Sequence, residues 1–284
     1  MGKFEFKSGI NEEKEFRKIF WKERRYGRRR ECFMKGFLCE PTLDGVFTGI
    51  YDIWADREKA DHKKLFLEGE YEPELFFDYL KVEPDSKKAE KVARSVRGKI
   101  SPLAYRWLCL TVLSYAEDRA DAAYRFLIRG FQTGCGITDC LQEPEVARVF
   151  ELSRKTTHEA HQFREFIRFE QLSNGSLFAR IAPKCRVATL LAPHFADRFS
   201  GENWMIFDES HGEAVLHRRM EQWWAASLST DEAEAFRERY AETDGYTGLW
   251  QTFVDSIAIE QRKNPACQRN LFPKWMRKYA TEHF

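Results

Sequence analysis

Alternating apolar and polar positions mark residues 165–217 as the part of the chain with the clearest β signal. Residues 177–181 alternate in this way just after an Asn-Gly dipeptide at 174–175, which favours a tight hairpin turn. Apolar residues then recur at helical spacing over residues 187–195, and a second alternating run begins at Trp204. The pattern predicts a small antiparallel sheet, ββαββ-like, with one helix across its face.

Helical spacing of apolar residues dominates the rest of the chain, over residues 44–164 and 218–284. Ser101, followed by a proline, is a typical helix start. Residues 56–90 are acidic and contain two Glu-Pro pairs, which disfavour a continuous helix, so loops and short helices are predicted there. Pro193 lies inside a helical pattern and predicts a kink or a break.

Length and composition are those of a folded protein, and they allow one large domain or two smaller ones. The chain has 284 residues, of which 43% are hydrophobic and 15% aromatic. We predict a basic extension over residues 1–32, followed by a single, mostly helical α+β domain over residues 33–284. That domain divides into a helical part (44–164), a sheet part (165–217) and a C-terminal helical part (218–284).

Membrane and export signals are missing from the sequence. No apolar run approaches the roughly 18 residues that a membrane span needs, and the polar N-terminus lacks the core of a signal peptide. The seven cysteines are odd in number and lack compact paired spacing, which argues against a disulfide scaffold. We therefore expect a cytoplasmic protein without a membrane partner.

Charge is segregated along the chain, although the net charge is only +1. Residues 17–30 contain eight basic residues and one acid, and residues 262–278 contain six basic residues. Such segments suit neutralisation of nucleic-acid phosphates, while a solvated surface is the open alternative. DNA is thus the expected partner, and the predicted contacts are Arg24, Arg25, Arg28, Arg262, Lys263, Arg269 and Lys274.

Five polar side chains interrupt apolar local patterns around the predicted sheet. His161, His194 and Asp208 are candidates for acid–base catalysis, and Arg168 and Arg198 are candidates for holding an anion. A buried charge requires a partner, so we expect these five to line one polar cleft, with Asp208 paired to an arginine or a histidine. A sealed structural network is the alternative.

Metal and cofactor signatures are weak. His158 and Glu159 stand close to His161, but no third ligand is evident. Cys135 and Cys140 lack the usual two-residue zinc spacing, and no phosphate-binding or dinucleotide glycine motif occurs. We predict neither a metal site nor a cofactor.

Several short motifs together resemble those of an uncharacterised bacterial family whose members are labelled DNA repair or DNA metabolism proteins. The motifs are His161, Phe-Ile-Arg-Phe at 166–169, Pro183, His194-Phe195 with Arg198, and Trp-Met-Ile-Phe-Asp at 204–208. The similarity continues at residues 44–51 and 262–273, and so covers roughly residues 35–280. The resemblance implies a genomic link to a radical-SAM partner and, in some members, fusion to a uracil-DNA glycosylase. It implies no established activity.

Two function classes stay open on this evidence. The first is a nucleic-acid-binding accessory protein of DNA repair or DNA metabolism, which contacts phosphates through its basic segments. The second is an enzyme that acts on a nucleotide or a damaged base through a cleft of histidine, arginine and aspartate side chains. Convergence of those side chains in one pocket would favour the second class.

Overall fold

The computed structural model describes residues 34–241 and 272–279, together with Leu249, Thr252, Phe253, Ser256, Asn264 and Ala266. The predicted basic extension and most of the basic C-terminal segment lie outside the described residues. Within the described part, seven α-helices accompany a three-stranded and a five-stranded sheet, which confirms the predicted α+β class. None of the described helices is both long and apolar enough to cross a bilayer.

The first sheet is parallel and consists of β1 (Met34–Cys39), β2 (Lys63–Leu67) and β3 (Phe77–Lys81), in the order β2-β1-β3. Helix α1 (Leu43–Ala55) links β1 to β2, as parallel strands require a crossover. The expectation of only loops and short helices over residues 56–90 is therefore wrong. The physical reason is that β2, a five-residue strand, is mostly buried although its neighbours in sequence are acidic.

Four further helices complete the first half of the molecule. They are α2 (Ser86–Lys99), α3 (Pro102–Val112), α4 (Arg119–Thr133) and α5 (Pro144–Phe166). The predicted start at Ser101 is confirmed, because its hydroxyl accepts a hydrogen bond of 3.0 Å from the Ala104 amide. Helix α5 begins in the first hydrophobic core, at Val146, and ends in the second, at Phe163. It therefore joins the two halves.

The second sheet has the order β4-β5-β6-β7-β8. Its strands are β4 (Glu170–Gln171), β5 (Leu177–Ile181), β6 (Trp204–Asp208), β7 (Glu213–His217) and β8 (Trp224–Ser227). Helix α6 (Ala188–Arg198) connects β5 to β6, so these two strands are parallel, whereas the other pairs are antiparallel. The predicted ββαββ order is present, but the purely antiparallel pairing is wrong, because a helical crossover returns the chain in its original direction.

A kink or a break is predicted at Pro193, and the break does not occur, because α6 runs from Ala188 to Arg198 without interruption. Pro193 lies on the exposed side, while Leu191, Ala192 and Phe195 pack into the second core. Burial of these apolar side chains outweighs the single helix hydrogen bond that proline removes. Helix α7 (Thr230–Arg239) covers the opposite face of the sheet. The sheet is thus enclosed by α5 and α6 on one side and by α7 on the other.

Candidate functional site

A groove of about 970 Å³ lies between the C-terminal half of α5, the segment that leads into β4, and α6. Its charged and imidazole side chains are His161, Arg164, Glu165, Arg168, His194 and Arg198. Its aromatic side chains are Phe169, Phe195 and Phe199. Helical geometry explains the grouping within α5 and within α6, because residues three and four apart share one helix face, whereas Arg168 and Phe169 come from the segment that follows α5. We call this cavity the arginine–histidine groove.

Positive charge dominates among the described residues of the groove, since three guanidinium groups accompany one carboxylate, that of Glu165. Arg164 donates a hydrogen bond of 2.9 Å from Nη2 to the Leu190 carbonyl oxygen. Arg168 donates from Nη1 to the carbonyl oxygens of Glu165 and Ile167, each at 3.0 Å. These carbonyl oxygens orient the two guanidinium groups, and as neutral acceptors they do not themselves cancel positive charge. The groove is therefore suited to an anion.

Both groove histidines are accessible to solvent. His161 lies with Nε2 at 3.2 Å from Glu165 Oε1, one helical turn further along α5. The His194 ring contacts the Phe195 ring edge-on, with centroids 4.9 Å apart. Because neither ring is buried, each can exchange a proton or a hydrogen bond with a bound ligand.

Packed phenylalanines form the apolar wall of the groove. The Phe169 ring meets those of Phe195 and Phe199 edge-on, at centroid distances of 5.1 Å and 5.4 Å. Phe195 and Phe199 are stacked 6.1 Å apart, and Phe195 is buried. These ring contacts hold α6 against the segment that leads into β4 and fix the positions from which the basic side chains project.

Asp208 lies outside the groove, so its predicted grouping with the other four side chains is wrong. It is fully buried at the end of β6, and it accepts hydrogen bonds from the Ser210 amide at 3.0 Å and from the His211 amide at 3.3 Å. His211 Nδ1 lies 2.7 Å from Asp208 Oδ2. Burial raises the pKa of Asp208, against the opposing effect of His211.

The histidine partner expected for Asp208 is therefore His211, which follows it by three residues. The spacing Asp-x-x-His directly after a buried strand is the signal that could have identified the pair. Nearby, the buried Arg119 holds Glu70 through two short contacts, at 2.7 Å and 2.8 Å, and this hydrogen bonding keeps the pKa of Glu70 below its usual value. His211 contributes to the same effect. These groups form a structural network.

Glu159 also serves the fold and not the groove. Its carboxylate is buried and accepts hydrogen bonds from the amides of Lys184 at 2.6 Å and Cys185 at 3.2 Å. It thereby anchors the loop that precedes α6, the helix of His194 and Arg198. Although Glu159 and His161 are only two residues apart in sequence, they lie on opposite sides of α5 and have separate roles.

The predicted nucleic-acid contacts fall mainly outside the described residues, namely Arg24, Arg25, Arg28, Arg262, Lys263 and Arg269. Lys274 is described, and it is exposed in the 3₁₀ turn Lys274–Tyr279. Two other basic residues of this turn contact protein groups: Lys278 forms an ion pair with Glu209 at 2.7 Å, and Arg277 donates a hydrogen bond to the Phe272 carbonyl oxygen.

Arg164 is the groove cation that we did not predict. It follows His161 by three residues, so helical spacing places these two on one face of α5. That spacing could have identified it.

A protein-family model matches the part of the chain that contains the groove. Residues 117–282, more than half of the chain, match the sequence model of a domain of unknown function, DUF4130. The matched region contains every residue of the groove, whereas the parallel sheet precedes it. No curated protein matches the chain.

Proposed function

The chain belongs to the DUF4130 family, and we propose that it is a nucleic-acid-binding accessory protein of DNA repair or DNA metabolism that holds a DNA strand in the arginine–histidine groove. One observation carries the proposal: Arg164, Arg168 and Arg198 line the same cavity, and one carboxylate stands among the lining residues that the structure describes. Guanidinium groups bind phosphate oxygens in a bidentate manner, which makes them well matched to a phosphodiester backbone.

The shape of the site favours an unpaired strand over a continuous duplex. A concave cavity with half-buried rings at Phe169 and Phe199 can accept a nucleotide whose base has left the stack. A flat basic surface would instead suit the regular phosphates of duplex DNA. The two basic segments of the sequence would add contacts along the backbone on either side.

Fluorescence anisotropy with labelled DNA tests the proposal. Three arms are compared: single-stranded DNA, duplex DNA and DNA that contains uracil. The groove variant carries Arg164→Gln, Arg168→Gln and Arg198→Gln. If each arginine contributes about 1 kcal/mol, single-stranded affinity falls about 100-fold, because 1.4 kcal/mol corresponds to a factor of ten.

A matched control removes the same charge elsewhere. Arg57, Arg94 and Arg239 are exposed and lie outside the groove, so their replacement by glutamine lowers the net charge equally. We expect the control variant to lose affinity several-fold at most, through long-range electrostatics alone. Equal losses in the two variants would show that the groove has no special role.

An enzyme acting on a nucleotide or a damaged base is the second candidate, favoured by the convergence of His161, Arg168, His194 and Arg198 in one groove. It ranks second because Asp208, the predicted acid–base partner, lies elsewhere. Arg168 and Arg198 would hold the phosphate while His161, oriented by Glu165, and His194 exchange protons. The test is product analysis of the DNA by mass spectrometry, in the wild type and in His161→Gln. A product that the variant fails to form, although it still binds DNA, would establish the enzyme. Unaltered DNA in the wild type argues for the accessory role.

The proposed partners beyond DNA rest on the family resemblance alone. A uracil-DNA glycosylase partner predicts tighter binding to the uracil-containing strand than to its unmodified equivalent. A radical-SAM partner predicts co-purification of the two proteins when both are expressed together. The proposed cytoplasmic location agrees with the free thiols of the described cysteines, Cys39, Cys109, Cys135, Cys140 and Cys185.

A further inference from the structure

A second cavity, of about 520 Å³, lies between the C-terminal end of α1, one face of α2 and the last turn of α4. Three aromatic rings line it, from Tyr51, Trp54 and Phe131. Two lysines, Lys91 and Lys99, line it as well. The volume lies within the range of about 300–1,000 Å³ that is typical of small-molecule sites.

The helical positions explain why these groups meet. Lys91, Ser95 and Lys99 follow one another at intervals of four residues, and therefore form a row along α2. Trp54 packs edge-on against Phe131, with ring centroids 4.9 Å apart. Even so, 39% of Trp54 remains exposed. A large indole is thus held in place while part of its surface is free to contact a ligand.

The charges of the cavity are unbalanced. Within the described part of the chain, no carboxylate lines the cavity, and neither Lys91 nor Lys99 forms an ion pair. The neighbouring Asp52 is already bound by Lys88, at 2.7 Å. Lys91 does lie 5.6 Å from the centroid of the Tyr51 ring, which leaves its charge intact. Two ammonium groups thus border an aromatic cavity and attract an anion.

We propose that this cavity binds a nucleoside phosphate, with the base against Trp54 and Phe131 and the phosphate at Lys91 and Lys99. A purely apolar ligand would leave both ammonium groups without partners, and a small inorganic anion would leave the rings unused. A planar aromatic ring joined to a phosphate satisfies both halves of the lining. This site does not depend on the arginine–histidine groove.

Isothermal titration calorimetry with adenosine 5′-monophosphate tests the assignment, with adenosine, inorganic phosphate and dodecanoate as separate probes. The double variant Lys91→Gln/Lys99→Gln should lose at least about tenfold in affinity for the monophosphate, as expected for lost charge-assisted contacts. Its affinity for adenosine should stay within about twofold. Trp54→Leu should weaken both, and thermal unfolding of each variant checks that the fold is retained.

Two controls separate this site from its surroundings and from the groove. Lys87→Gln removes an exposed lysine of the same helix that does not line the cavity, and it should bind the monophosphate normally. The groove variant of Arg164, Arg168 and Arg198 should also bind it normally. Loss of binding in the groove variant would place the nucleotide in the groove and overturn the proposal. So would undetectable binding at millimolar concentration, an unchanged affinity in the lysine variant, or tighter binding of dodecanoate.

Discussion

Replacement of Glu159 by alanine should destabilise the protein, because this carboxylate is a buried anchor between α5 and the start of α6. Glu159 is 6% exposed, and its two oxygens accept hydrogen bonds from the amides of Lys184 and Cys185, at 2.6 Å and 3.2 Å. Glu159→Ala leaves both amides without their acceptor. Glu159→Gln keeps the shape and one acceptor oxygen but replaces the other with an amide donor.

The magnitude follows from the two hydrogen bonds. A hydrogen bond to a charged group contributes about 1.5–3 kcal/mol, and the 3.2 Å contact belongs at the weaker end. Removal of the carboxylate also removes the free-energy cost of burying its charge, which offsets part of this loss. We therefore expect Glu159→Ala to lower the free energy of unfolding by about 2–4 kcal/mol. The smaller change in Glu159→Gln should cost about 1–2 kcal/mol.

Urea unfolding followed by circular dichroism measures this difference, provided that the slope of the free energy against urea is unchanged. Glu151→Gln is the matched control on the same helix, since Glu151 is exposed and its pairs with Arg148 and Lys155 are on the surface. Its effect should stay below about 1 kcal/mol. A Glu159→Ala variant within about 0.5 kcal/mol of the wild type would refute the anchoring role.

Two further changes test the packing and electrostatics of the first half of the molecule. Gly45→Ala should lower the free energy of unfolding by about 1–3 kcal/mol in urea unfolding, because the added methyl group would collide with the Glu40 carbonyl oxygen. Gly98→Ala is the control: its methyl group meets no atom within 4 Å, so it should raise the free energy of unfolding by about 0.5–1 kcal/mol. Equal effects of the two substitutions would contradict this packing. Because Arg119 lowers the pKa of Glu70, their interaction stabilises the fold above the unfolded pKa of about 4.3 and is lost as pH falls through the lower folded value. Glu70→Gln should therefore cost about 1–2 kcal/mol at pH 7, after allowance for its partial exposure, and the gap to the wild type in thermal unfolding should narrow as pH falls below about 4.3. A gap that is independent of pH would contradict the linkage.

The elements that the sequence predicts well are those with a long or regular apolar pattern. The five-residue alternation of β5 and the turn at Gly175, which has a φ of 78°, are both present. Strand β2 was missed because five residues within an acidic segment give too short a pattern. The parallel pairing of β5 with β6 was missed for a different reason, since the direction of a strand depends on how α6 crosses the sheet and not on local alternation.

The candidate site is predictable only in part. His194 and Arg198 share a face of α6, so helical spacing groups them correctly. Arg168 lies just beyond α5, which ends at Phe166, so its place beside His161 depends on the path of the chain after the helix. Asp208 could not be placed by such an argument, because every residue of β6 is buried and both faces of the strand are covered. A local contact with His211, only three residues away, satisfies the carboxylate in its own turn.

The salt dependence of single-stranded DNA binding tests the central claim most directly. For single strands, the slope of log affinity against log salt is about −0.7 for each phosphate contact. If Arg164, Arg168 and Arg198 each contact one phosphate, their joint replacement by glutamine should make the slope less negative by about two. The control variant of Arg57, Arg94 and Arg239 should keep the wild-type slope. An unchanged slope in the groove variant would contradict the claim that this groove holds the strand.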